Sequence, residues 1–173
     1  MTYRLSWLCC LFALLLGVAG VAAPAKGPVG VPNFAKVEDG IYRGAAPTLQ
    51  GLKSLQAMGI HTIIDLRISP KLVKQEKARA LAMGFTWINL PMGAEPPTKK
   101  QVETLLTTLA KAPEEPVFVH CQHGADRAGC MIGIYRVAVL GWTFDQAWKE
   151  MRKYGFDPRW TKLTAAVKER GKL

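Results

Sequence analysis

The chain has 173 residues, 49% of them hydrophobic, and a formal net charge of +10. That length suits one domain rather than two, and so much apolar content predicts a packed core and excludes a disordered chain. The charge favours anionic partners, yet the Lys and Arg residues are scattered, without a dense basic block or an aromatic stacking motif, so nucleic-acid binding is not expected.

In chain order, Met1 to Arg4 supply one positive charge, Leu5 to Val21 form an apolar run, and Gly20 to Ala25 are small residues with one Pro. That order predicts a signal peptide over 1–23, cleaved after Ala23 or Ala25, in preference to an uncleaved anchor. Export to a periplasm or to the medium is expected, with no membrane span left. Cleavage removes one Arg and lowers the net charge from +10 to +9. It also removes Cys9 and Cys10, and the remaining Cys121 and Cys130 do not make a disulfide framework.

Residues 24–33, rich in Gly and Pro, read as a linker, and 34–173 as the domain. Phe34 to Val37 and Ile41 to Arg43 flank Asp39-Gly40, a hairpin signal. Thr48 caps a helix with Leu49, Leu52, Leu55 and Met58 on one face, ending at Gly59. A strand over 62–66 follows, then a helix over 71–83 with a charged outer face, a strand over 85–90 and a loop over 91–97. Thr98 and Gln101 make a capping box. A buried strand at 117–120 leads to an all-round apolar helix over 127–140. A second capping box, Thr143 with Gln146, and an amphipathic stretch over 161–170 complete the chain. Alternating strands and helices predict a single α/β domain whose central, mostly parallel sheet is flanked by helices. Ligands in such folds bind beyond the carboxyl ends of the strands, where Cys121 falls.

Between strand and helix lies His120-Cys121-Gln122-His123-Gly124-Ala125-Asp126-Arg127. A tight loop of small and polar residues turns its main-chain N–H groups inward, and the helix that follows adds its N-terminal dipole. Gly124 permits the positive φ such a curve needs. Thiolate is favoured at Cys121 in that setting, and the fork of Arg127 matches two phosphate oxygens.

These residues resemble the protein tyrosine and dual-specificity phosphatase superfamily, whose signature is His-Cys, five residues, then Arg. Residues 40–48 (GIYRGAAPT), 63–67 (IIDLR) and 120–127 (HCQHGADR) are similar to successive blocks of its compact bacterial members, covering most of 34–165. The resemblance implies a phosphocysteine intermediate on Cys121, a phosphate clamp at Arg127 and substrate binding by Gln122, His123, Gly124, Ala125, Asp126 and Arg127. It implies a protein phosphatase for phosphotyrosine, with phosphoserine or phosphothreonine besides, and no cofactor or metal. Two departures stand out. Ala128 replaces the usual Ser or Thr that helps cysteine leave, so the intermediate is expected to accumulate. No Trp-Pro-Asp marks the general acid, leaving Glu95, Asp126 and Asp65 in that order, the last with a structural role beside Arg67 as its stronger reading.

His120 is expected to orient the loop, and His123 either touches substrate or is solvated. Cys130 is expected in the core, with a disulfide to Cys121 as the alternative. His120, Cys121 and His123 lack further metal ligands. Lys71, Lys74, Lys77, Lys99 and Lys100 are read as solvated, and Trp142, Trp148 and Trp160 as core or rim. Rival functions are a phosphoinositide or inositol phosphate phosphatase, a phosphate-reading binding protein with little turnover, and a sulfurtransferase. A monomer acting on phosphorylated proteins or small phosphomonoesters is expected.

Overall fold

The structure is a computed structural model, and it describes residues 27–170. The expected signal peptide lies outside the described residues. Among the described residues, five strands form one sheet: β1 (Ala35–Glu38), β2 (Ile41–Ala45), β3 (Thr62–Asp65), β4 (Thr86–Asn89) and β5 (Val117–Cys121), in the order β1-β2-β5-β3-β4. Only the β1–β2 pair is antiparallel, closed by the Asp39-Gly40 turn, where Gly40 has φ 72°. The fold class is the one the alternating pattern predicts.

Among the described residues, six helices cover the sheet: α1 (Leu49–Ala57), α2 (Pro70–Ala82), α3 (Lys99–Leu109), α4 (Asp126–Ala138), α5 (Phe144–Lys153) and α6 (Thr161–Arg170). Both expected capping boxes are present, Thr98 with Gln101 and Thr143 with Gln146. Strand alternation sorts the core into two layers. Ile63 and Phe118 pack with Leu52, Leu55, Ala80 and Phe85 on one face. Ile41, Ile64, Val117, Val119 and Cys121 pack with α3, α4, α5 and α6 on the other. Helix α4 is the centre of that second layer, buried from Ala128 to Val137, as its apolar circumference implies.

Three local expectations need correction. Leu49 and Met58 are 49% and 40% exposed, so the inner stripe of α1 is Gly51, Leu52 and Leu55. Helix α2 turns a charge inward, since Glu76 is buried with Ala80. The described part of the expected linker, 27–33, is fastened to the domain. Ala45 N–H donates to Pro32 O at 2.8 Å, Thr48 N–H to Gly30 O at 2.9 Å, and Val31 is buried.

Candidate active site

Strand β5 carries Cys121 to the carboxyl edge of the sheet between β2 and β3, both of which run parallel to it. The chain then turns through Gln122 to Ala125 and enters α4 at Asp126. Cys121 is 2% exposed, at the floor of this loop. Gln122 and His123 are exposed at the rim, Gly124 and Ala125 are buried, and Asp126 and Arg127 are half-buried. Among the described residues, the main-chain N–H groups of 123–128 donate to no carbonyl in the turns, loops and caps. A ring of unpaired donors at a helix N-terminus is an anion site. Ala128 is fully buried.

Gly124 holds φ 69°, and a Cβ there would stand 2.4 Å from Gly44 C and 2.5 Å from Ala45 N. The loop therefore lies directly against the end of β2. Asn33, from the expected linker, pins it from outside: its Nδ2 donates to His123 O at 3.2 Å and to Tyr154 O at 3.0 Å.

Beneath the loop, on the α1–α2 face, lies a buried charged network. Arg67 donates from Nε and Nη2 to the two oxygens of Asp65, each at 2.9 Å, and from Nη2 to Glu76 at 2.7 Å. Burial alone would lower the Arg67 pKa, but its hydrogen bonds with Asp65 and the charge of Glu76 outweigh this and hold it above its ordinary value. His120 Nε2 is 2.8 Å from Glu76 Oε1, and its Nδ1 is 3.3 Å from Cys121 O. His120 thus fixes the strand end from which the loop starts. Oxygens of Asp65 and Glu76 and a nitrogen of His120 lie within 4.8 Å of one another, but Arg67 already places a cation among them.

The three acid candidates are placed very differently. Asp65 is fully buried, committed to Arg67, and on the face opposite Cys121. Asp126 accepts the Asp157 N–H at 2.8 Å and so holds the turn between α5 and α6. Glu95 is exposed on the 91–97 loop and pairs with Lys162 of α6 at 2.5 Å. The start of that loop meets Arg127, whose Nη1 donates to Met92 O at 3.5 Å.

Cys121 and Cys130 are both free thiols. Cys130 is buried in α4 with Sγ 3.6 Å from Leu163 O, and burial pushes its thiol up to about 12. Lys71, Lys74, Lys77, Lys99 and Lys100 are exposed. Trp148 and Trp160 pack on the core, and Trp142 lies against Arg136, its ring centroid 4.2 Å from the guanidinium carbon.

Two buried charges around the loop escaped the sequence reading. Glu76 shares an inner stripe with Val73 and Ala80, a spacing of three and four that was open to inspection. Arg43 stands two residues from Ile41 and from Ala45, at an inward position of a buried strand.

Comparison with known proteins agrees with this geometry. The family model described as "DSP-PTPase phosphatase fused to NAD+ Kinase" matches residues 28–169. The dual specificity protein phosphatase TpbA of Pseudomonas aeruginosa is 29% identical over 168 residues, covering 88% of this chain and 74% of TpbA. Inositol diphosphatase DSP5 of Arabidopsis thaliana is 29% identical over 128 residues, 70% of this chain and 61% of DSP5. A crystal structure of P. aeruginosa TpbA in complex with pTyr superposes with a TM-score of 0.66 at 24% identity, covering 83% of this chain and 91% of that one. Since the family match runs through both layers of the sheet and the whole loop, the chain belongs to the dual-specificity-type protein tyrosine phosphatases and is a cysteine-dependent phosphatase.

Proposed function

We propose that the chain hydrolyses phosphate monoesters through a phosphocysteine on Cys121, with phosphotyrosine in proteins as its substrate class. The observation that carries this reading is the ring of unpaired N–H groups over a buried cysteine, with Arg127 at its edge. The ring and the Arg127 fork hold the phosphoryl oxygens, while Cys121 Sγ attacks phosphorus. The S–P bond forms as the P–O bond to the leaving group breaks, and that oxygen takes a proton from a carboxylic acid. Water then attacks phosphorus, gives its proton to the same carboxylate, and releases phosphate and the thiolate. The naming of TpbA and its complex with pTyr support the choice of substrate. The leader-like sequence of residues 1–23 supports action outside the cytoplasm.

Ala128 offers no hydroxyl to the departing sulfur, so the second step is the slower one. Acid quenching during turnover of p-nitrophenyl phosphate, followed by mass spectrometry, is expected to find phosphate on the Cys121 peptide. Ala128→Ser is expected to lower that trapped fraction severalfold and raise kcat. Absence of label at Cys121 in both proteins would sink the phosphocysteine route.

Glu95 is the acid in this reading, because its ion pair with Lys162 is exposed and exchangeable, whereas Asp126 holds the Asp157 main chain and Asp65 is buried against Arg67. General acids contribute about 10²-fold or more. Glu95→Gln is expected to cost that much on phenyl phosphate, whose leaving group needs the proton, and much less on p-nitrophenyl phosphate. Asp126→Asn should show no such dependence on leaving group; the reverse pattern would transfer the role to Asp126.

The likeness to DSP5 and the positive charge favour inositol diphosphates as a second reading. A cavity of about 440 Å³ lined by Ala94, Asp157, Arg159 and Trp160 offers one exposed guanidinium, but Asp157 holds it by hydrogen bonds of 2.5 to 3.1 Å. Phosphate release from a phosphotyrosine peptide against an inositol pyrophosphate, compared by kcat/KM, separates the two.

A further inference from the structure

Arg43 heads the fully buried side chains by volume, at 0% exposure in the middle of β2. The β2–β5 register pairs Arg43 with Val119 and Ala45 with Cys121, so Arg43 projects on the same face of the sheet as the cysteine. Its Nη2 donates to Gly124 O at 2.7 Å and lies 3.4 Å from Ala125 O. Its guanidinium carbon sits 4.7 Å from the centroid of the Tyr154 ring. Nε and Nη1 have no hydrogen-bond partner among the described residues.

Such a charge is expensive to bury without a bound carboxylate. Burial pulls the Arg43 pKa below its ordinary value, opposed mainly by attraction to Glu150 and then to Cys121. Glu150 is already committed, since Arg136 binds its two oxygens at 2.7 and 3.0 Å. A Leu or Met would fill the same space without that cost, so packing alone does not account for an arginine. The loop does. In a planar trans peptide the C=O and the next N–H point in opposite directions. Drawing Gly124 O and Ala125 O down toward Arg43 therefore aims the N–H groups of Ala125 and Asp126 away from it, into the ring of unpaired donors.

We propose that Arg43 is a positioning residue for the phosphatase reaction, setting the peptide planes of the phosphate loop from beneath so that its N–H donors face the transferring phosphoryl group. This rests on the reading of Cys121 as nucleophile. Other charged or titratable groups on the surrounding elements include His120 of β5 with Asp65 and Glu76 behind it, Asp126 and Arg127 of α4, Glu150 and Arg136 beyond them, and Tyr154 after α5. Arg43 differs from all of these in being a wholly buried cation bound only to loop carbonyls and an aromatic face.

The test measures kcat and KM for p-nitrophenyl phosphate, beside binding of inorganic phosphate by calorimetry, for the full chain, Arg43→Met and Arg43→Lys. Arg43→Met is expected to lower kcat at least tenfold more than it changes KM or phosphate binding. Arg43→Lys is expected to leave kcat low, because one ammonium cannot span two carbonyls as the planar fork does. A folded Arg43→Met with parent-like kcat overturns the proposal and leaves Arg43 as core filling. Should Arg43→Met fail to fold, Arg43→Gln, which keeps one donor for Gly124 O, replaces it with the same two outcomes. Parent-like turnover by Cys121→Ser would sink the reading of Cys121 as nucleophile and is a separate result.

Discussion

Replacing Cys121 by Ser is expected to lower kcat for p-nitrophenyl phosphate by on the order of 10⁴-fold or more while leaving phosphate binding intact. The substitution is close to isosteric at a position only 2% exposed, so the loop and its donors stay in place. What is lost is the sulfur nucleophile, and a serine hydroxyl is a far weaker one without an adjacent base. The groups that hold phosphate are main-chain N–H donors and Arg127, and the substitution touches none of them. Inorganic phosphate is therefore expected to inhibit or bind at least as tightly as in the parent, as read by calorimetry. Residual turnover within tenfold of the parent would take the chemistry away from Cys121. Loss of both turnover and phosphate binding would mean that the loop itself had collapsed.

The loop was legible because its residues are contiguous: nucleophile, glycine, arginine and helix start all fall within eight positions, and local backbone geometry fixes their relation. The two capping boxes were legible for the same reason, each being a four-residue pattern. The supports of the loop were not. Glu76 meets His120 across 44 positions, and Arg43 meets Gly124 across 81. A charge on a helix or strand is ordinarily solvated, so a rule based on periodicity turns such residues outward unless their partners are known. Asn33 was hidden in a stretch whose Gly and Pro content suggested a linker, yet its amide bridges the loop and Tyr154 across 90 and 121 positions. Leu49 and Met58 show the converse. Their spacing fits an apolar stripe, but Leu49 is the first residue of α1 and Met58 its C-cap, and at those two ends both are exposed.

Gly124→Ala is expected to be the most destabilising single-methyl change in the phosphate loop, costing about 3 kcal/mol or more and lowering the midpoint of thermal unfolding by about 10 °C. Two costs add. A left-handed backbone with a Cβ costs about 1–2 kcal/mol by itself. The methyl would then overlap main-chain atoms of Gly44 and Ala45 at 2.4 to 2.6 Å, and neither can swing aside as a flexible side chain can. Gly59 and Gly84 separate the two contributions, having φ of 76° and 85° with nothing within 4 Å of a built Cβ. Ala at either is expected to cost only the backbone part, about 1–2 kcal/mol, and to leave kcat unchanged. If Gly124→Ala instead matches those controls in stability, the loop has moved off β2 to make room. The same displacement would carry Gly124 O away from Arg43 and turn the Ala125 N–H out of the ring, so kcat should fall with little loss of stability. Calorimetry and p-nitrophenyl phosphate kinetics on the three variants decide between these outcomes. Parent-like values in both measurements would show that the contact between loop and strand constrains neither the fold nor the chemistry.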